Sequence, residues 1–210
     1  MNQADLERSL AHYRELAPRY DHYTRRIDGI RRRAIDALQL RPGDTVLDVA
    51  CGTGWCIPLL AERVGPLGRV IAFDASAEML DQARARPAAA PVELICAQGV
   101  DVRLPVRVDA ILFSYTHDLI RSPEAIAHLL AQAKPGARVA ATSTKLYARL
   151  LFPANWYLRW SHRAYITDFE GFEAPWSLLA ERLEGFRVET GPFTQHYVAS
   201  GRVPPASQVA

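Results

Sequence analysis

The feature that most constrains this chain is a series of short apolar runs separated by segments with helical spacing. Thr45-Val46-Leu47-Asp48-Val49-Ala50 is too short for a core helix and β-branched enough for a buried strand. Arg69 to Asp74, Val92 to Ala97, Val108 to Tyr115 and Ala137 to Thr144 repeat that character. Helices fit between them at about Trp55 to Val64, Ala77 to Ala85 and Pro123 to Ala133. The last begins with Ser122 as N-cap and Pro123 as first helical residue. The connection from Val100 to Arg107 reads as irregular. Strands alternating with helices predict an α/β fold, a parallel sheet covered on both faces. Two β-rich runs, Phe186 to Phe193 and His196 to Ser200, predict an antiparallel hairpin at its edge. The first 40 residues read as helix, with Leu6, Leu10 and Tyr13, then Ile27, Ile30, Ala34 and Leu38, in phase. Pro18 is expected to divide them into two helices.

Composition excludes several classes. With 49% hydrophobic and 23% charged residues over 210 positions, the chain is neither disordered nor fibrous. Twenty-five Lys and Arg against 23 Asp and Glu leave +2, too mild a balance to argue for nucleic-acid binding. No stretch approaches the roughly 18 apolar residues of a membrane span. The polar start MNQADLERSLAHYREL is unlike a signal peptide, and Cys51, Cys56 and Cys96 are too few for a disulfide framework or zinc site. A reduced, cytoplasmic location is the expectation.

In an open α/β sheet, ligands bind outside the carboxyl ends of the strands. Asp48-Val49-Ala50-Cys51-Gly52-Thr53-Gly54 lies at such an end, and its glycines let a ligand approach the backbone. A GxGxxG dinucleotide fingerprint fails in either frame, because Ile57 or Ala50 and Trp55 stand where glycines are required. What remains is an acid ending the strand ahead of Gly-x-Gly, which repels a pyrophosphate and suits a cationic ligand. The second strand ends in Asp74, placed to accept hydrogen bonds from both hydroxyls of a ribose.

VLDVACGTG, followed by VIAFDAS and DAILFSY, resembles motif I, its acidic follower and motif IV of the class I S-adenosylmethionine-dependent methyltransferases. The resemblance covers roughly residues 10 to 202. It implies a Rossmann-like seven-stranded sheet, strands one to five parallel, with a C-terminal antiparallel hairpin, helices on both faces and an N-terminal helical cap. The implied organisation is a cap at 1–40, a cofactor-binding methyltransferase domain at 41–203 with an acceptor insert at 145–180, and a tail at 204–210. By similarity, Asp48 and the loop Ala50, Cys51, Gly52 and Gly54 face the methionine part of S-adenosylmethionine, and Asp74 holds the ribose. Ala75 and Met79 flank the adenine, while Gly99, Val100 and Asp101 match the segment that meets its amine. Asp101 stands one place later than the family pattern, leaving the Val100 backbone as the alternative. Ser114, ending the fourth strand, joins the cofactor set, and Tyr20 matches a tyrosine that folds over the cofactor near its carboxylate and the reacting groups. The alternative is a helix packing its aromatic residues on the sheet.

For the acceptor, His117 and Asp118 follow the fourth strand, where a histidine beside an acid could take a proton from a hydroxyl, thiol or ammonium. The other reading has His117 capping a helix or packing under the insert. The chain lacks the Asn-Pro-Pro-Tyr signature of amide N-methyltransferases acting on nucleic acid and protein, and the paired acids of metal-dependent catechol O-methylation. No metal and a small, aromatic or cationic acceptor are expected. The stretch 145–176, rich in Lys, Arg and Trp, reads as a substrate lid, a lipid-facing surface or a dimer contact. Monomer and homodimer both remain open. Likeness to phospholipid amine N-methyltransferases offers a headgroup amine as the alternative acceptor, and a cofactor-binding sensor or scaffold is the alternative outside enzymes.

Overall fold

A computed structural model describes residues 19–147, 155, 156, 158, 171–191 and 194–205. Helix α1 (Tyr20–Thr24) passes through a 3-10 turn at Arg25–Ile27 into α2 (Asp28–Ala37). Then follow β1 (Thr45–Val49), α3 (Ile57–Val64), β2 (Arg69–Asp74), α4 (Ala77–Arg84), β3 (Val92–Cys96) and β4 (Val108–Ser114). A 3-10 turn at Leu119–Arg121 leads to α5 (Pro123–Ala131), β5 (Ala133–Thr144), α6 (Ser177–Ala180), β6 (Glu184–Glu189) and β7 (His196–Arg202). Pro18 and everything before it lie outside the described residues. So do residues 148–154, 157 and 159–170 of the basic aromatic stretch, and 206–210 of the tail.

The strands form one sheet in the order β3-β2-β1-β4-β5-β7-β6. The first five are parallel, and β7 runs antiparallel between β5 and β6, as expected for the terminal hairpin. The reason these runs are almost wholly apolar is that both faces are covered. Leu47, Val49, Ile71, Phe73, Ile111, Phe113, Val139 and Ala141 enter one core with Ile126 and Leu129 of α5. Their alternates Val46, Val70, Ala72, Ala110, Leu112 and Ala140 enter the other with Ala34 and Ile35 of α2 and Leu60 and Val64 of α3. Each fully buried Leu or Phe in these layers contributes roughly 1.5–3 kcal/mol.

Boundaries shift where local geometry intervenes. β1 stops at Val49 because Ala50 is left-handed, with φ +46°. β5 starts four residues before the expected Ala137, and a bulge in its pairing with β4 absorbs Pro135 and Gly136: Val108 faces Ala133, then Ala110 faces Arg138. Ser122 caps α5 as predicted, its hydroxyl accepting from the Ala125 N–H at 3.2 Å. No described helix is long and apolar enough to cross a membrane.

Candidate cofactor and acceptor site

The strand order reverses at β1, whose neighbours are β2 on one side and β4 on the other. A crevice opens at such a switch point, beyond the carboxyl ends of the strands. The loop after β1 enters it. Ala50, Gly52 and Gly54 all have positive φ, so the chain turns tightly away from the strand. A Cβ on Gly54 would lie 2.8 Å from the Ala83 Cβ and 2.8 Å from Ile57 Cδ1, so glycine here lets α3 and α4 close on each other. A Cβ on Gly52 would meet nothing within 4 Å. That side of the loop is open.

Asp74 secures the loop. Its carboxylate accepts from the Gly52 N–H at 2.8 Å and from the Ser76 N–H at 2.9 Å. Each oxygen retains a lone pair for a further donor. Burial raises its pKa, against the lowering effect of these backbone bonds. Ser76 then caps α4 through the Met79 N–H. Met79 is 2% exposed in the core and Ala75 half-buried above it.

Asp48 is 1% exposed and its Oδ2 has no hydrogen-bond partner. Burial pushes its pKa up to about 7; Arg31 opposes that shift, while Asp74 adds to it. Arg31, on the buried stripe of α2, is 5% exposed. Its guanidinium lies 5.2 Å from the Trp55 ring centroid and 5.6 Å from that of Tyr115, with Asp28 Oδ1 at 3.7 Å. Its Nε is buried without a partner. A carboxylate and a guanidinium, each with an orphaned atom, thus face one crevice.

Helix α1 covers the loop. Thr53 Oγ1 donates to Asp21 Oδ1 at 2.6 Å, and Arg86 Nη2 donates to the other Asp21 oxygen. Arg86 Nε also donates to the Thr53 carbonyl at 2.9 Å. On the far side of α1, Arg31 donates to Thr24 Oγ1 at 3.3 Å. Tyr20, in this helix, lies close enough to Tyr115 to raise its pKa. Among the other expected cofactor residues, Cys51 is half-buried with its thiol pKa pushed up by burial, and the Ser114 hydroxyl is buried. Gly99 is buried against Leu119, 2.4 Å from where its Cβ would stand, Val100 is half-buried, and Asp101 is exposed.

Beyond β4 lies a second cluster. Phe113 belongs to one core face, and strict alternation would place Tyr115 there too. Instead Tyr115 is left-handed, φ +60°, and its ring turns towards Arg31. Its hydroxyl hydrogen-bonds His196 Nδ1 at 3.0 Å. Non-glycine residues held in this conformation collect at functional sites. His117 Nδ1 hydrogen-bonds Ser143 Oγ at 2.8 Å, and its ring stacks on Phe172 at 6.0 Å. Asp118 follows it in the chain, ahead of the 3-10 turn at Leu119–Arg121. The expected cofactor acids and His117 therefore gather at one end of the sheet.

The reading from sequence missed Arg31, Asp21, Arg86, Tyr115 and His196. Arg31 carried a signal: it is four residues after Ile27 and four before Ile35, in phase with the apolar stripe. The pairing of Tyr115 with His196 across 81 positions carried none.

The family model described as a methyltransferase domain matches residues 46–136, which run from β1 to the bulge in β5. Over that segment the chain matches a methyltransferase domain, and its motifs resemble those of the class I S-adenosylmethionine-dependent methyltransferases. Over 127 residues the chain is 32% identical to a demethylmenaquinone methyltransferase of Symbiobacterium thermophilum, covering 57% of this chain and 51% of that protein. Over 137 residues it is 34% identical to a 2-phytyl-1,4-naphtoquinone methyltransferase of Synechococcus elongatus, covering 60% and 59%. The chain spans about half the length of the curated relatives it matches. Among solved structures, a DhpI–SAH complex superposes with a TM-score of 0.64 at 20% identity, covering 98% of this chain and 100% of that one. That likeness concerns the fold. Among the described residues, no three His, Cys, Asp or Glu side chains gather as metal ligands.

Proposed function

We propose that this methyltransferase moves a methyl group from S-adenosylmethionine to O, N or S of a small-molecule acceptor. The observation that carries the reading is the buried pair of orphaned atoms, Asp48 Oδ2 and Arg31 Nε, at the switch point. A zwitterionic amino-acid tail satisfies both, its ammonium at Asp48 and its carboxylate at Arg31. Asp74 suits the ribose hydroxyls, and Ala75, Met79, Val100 and Asp101 are the residues proposed to meet the adenine. When bound, the cofactor supplies a methyl group activated by its sulfonium. The chain's own work is to orient the acceptor and exclude water. Helix α1, tied to the loop through Asp21 and Thr53, closes one side.

His117 is the residue assigned to take the acceptor's proton. Ser143 and Phe172 fix its ring from two directions, which is more organisation than a cofactor sensor requires. The resemblance to quinone methyltransferases and the rings of Tyr115, His117 and Phe172 favour a flat aromatic acceptor. A headgroup amine fits less well, since Arg121 sits over Phe172 at 4.9 Å and Lys145 is buried nearby.

Titration calorimetry with S-adenosylhomocysteine tests the cofactor assignment. Binding to the wild type and loss of at least tenfold in affinity on Asp74→Ala, in a variant that still unfolds cooperatively, are expected. Unchanged affinity would remove Asp74 from the site. A panel of hydroquinones and naphthols tests the acceptor, read by formation of S-adenosylhomocysteine.

A further inference from the structure

The end of β5 carries a buried cation that cofactor binding does not use. Lys145 is 5% exposed, and its Nζ donates one hydrogen bond, 3.1 Å, to its neighbour's carbonyl on Leu146. Among the described residues, that carbonyl is the one acceptor recorded for the ammonium, and no carboxylate pairs with it. Burial lowers its pKa. An ammonium withdrawn from water is costly unless a negative charge compensates it. Most lysines avoid the problem by snorkelling to solvent; this one does not.

Its place in the fold is specific. The Lys145 N–H donates to the Gln195 carbonyl and the Leu146 N–H to the Phe172 carbonyl, both at 2.8 Å. Phe172 is the ring on which His117 stacks, and Ser143, two residues before Lys145, holds His117 Nδ1. The cation is therefore built into the framework that orients the proposed base. The Arg121 guanidinium lies 4.9 Å from the centroid of that same Phe172 ring.

We infer that the acceptor carries an anionic oxygen group, a carboxylate, phosphate or phosphonate, which pairs with Lys145. This rests on the reading of the His117 side as the acceptor site. The anion compensates the buried charge and fixes the end of the acceptor remote from the methylated atom. The apo protein tolerates an unpaired cation so that the bound acceptor does not have to displace a protein carboxylate.

Thermal shift of the full chain decides the matter, with and without S-adenosylhomocysteine. The probes are 2-naphthoate, phenylphosphonate and inorganic phosphate, with the neutral 2-naphthylmethanol as control. At least one anion raises the melting temperature by several degrees, and the alcohol does not. The response disappears in Lys145→Met and survives in Lys145→Arg, while ligand-free Lys145→Met melts no lower than the wild type. Should Lys145→Met fail to fold, Lys145→Gln, which keeps a donor for Leu146 without the charge, takes its place. The inference is overturned if no anion stabilises the wild type, if the alcohol matches the anions, or if the uncharged variant keeps the response. Absence of any shift with S-adenosylhomocysteine counts against the methyltransferase reading, while the anion arm still decides this one.

Discussion

Asp48 makes the most quantitative prediction. In the unfolded chain it titrates at its ordinary value of 3.8, and in the folded apo protein burial lifts it to about 7. A raised carboxylate pKa means that the folded state holds a proton the unfolded state has released. Stability from this group is therefore fully present below 3.8 and is lost as pH rises through 7. Over the whole window the loss is on the order of 4 kcal/mol, at about 1.4 kcal/mol per unit. Asp48→Asn removes that dependence, because the amide has nearly the same shape and no charge to desolvate. The variant removes the charge of Asp48 that Arg31 opposes, but Asp28 stays at 3.7 Å from Arg31, so the net gain is set at roughly 1–3 kcal/mol at pH 8. For a domain of this length that is a rise of about 2–10 °C in melting temperature, shrinking to nearly nothing at pH 4–5. The same substitution should weaken S-adenosylhomocysteine binding by about 10–100-fold, the worth of a charge-assisted hydrogen bond to the ammonium. Calorimetric melts from pH 5 to 8, paired with titrations of the ligand, read both effects. A variant less stable than wild type throughout that range would show that Asp48 is already compensated within the protein. The zwitterion argument would then fail.

Other substitutions test the remaining parts. Asp21→Ala frees α1 from Thr53 and Arg86; because the pair is partly exposed, the cost to global stability is at most about 1 kcal/mol, but amide exchange at 20–28 should accelerate well beyond that of α2. Gly54→Ala forces a Cβ to 2.8 Å from Ala83 at φ +73° and should cost about 2–4 kcal/mol in urea unfolding; Ala83→Gly in the same chain should restore part of it, and no restoration would mean that backbone strain alone is responsible. His117→Ala should lower kcat by on the order of 10²–10⁴ with ligand affinity within about twofold; full activity would remove it as a base.

The fold was legible because two-sided burial leaves its own mark. Strands with alternating sides in two cores cannot alternate polar and apolar, so five short, mostly apolar runs announce a covered parallel sheet. The proposed cofactor side carries a local mark too: Asp48 and Asp74 stand at or near the ends of β1 and β2, and the tight turn after β1 has Gly52 and Gly54 at positive φ. Both are local. The acceptor side is not. Tyr115 reads as the continuation of a strand, and only its left-handed backbone takes its ring off the alternation and towards Arg31 and His196. Nothing in the local sequence Phe-Ser-Tyr-Thr demands that conformation, so tertiary packing imposes it.

That imposed residue joins the halves of the crevice. Tyr115 faces Arg31 on the cofactor side, and its ring meets that of His117 edge-on at 5.9 Å on the other. A group that binds against Arg31 therefore presses on the residue that borders the proposed base. Burial raises the Tyr115 pKa, so its hydroxyl stays protonated at neutral pH beside His196 Nδ1. The ring is then a fixed wall, hydrogen-bonded at its tip and strained at its backbone. On the proposed reading, acceptor choice belongs to what lies beyond that wall, on the side of His117, Phe172 and Lys145, and the motif VLDVACGTG carries no information about it. Those side chains come together from segments that follow β4 and β5 and precede α6, far apart in the chain, so no local pattern announces them.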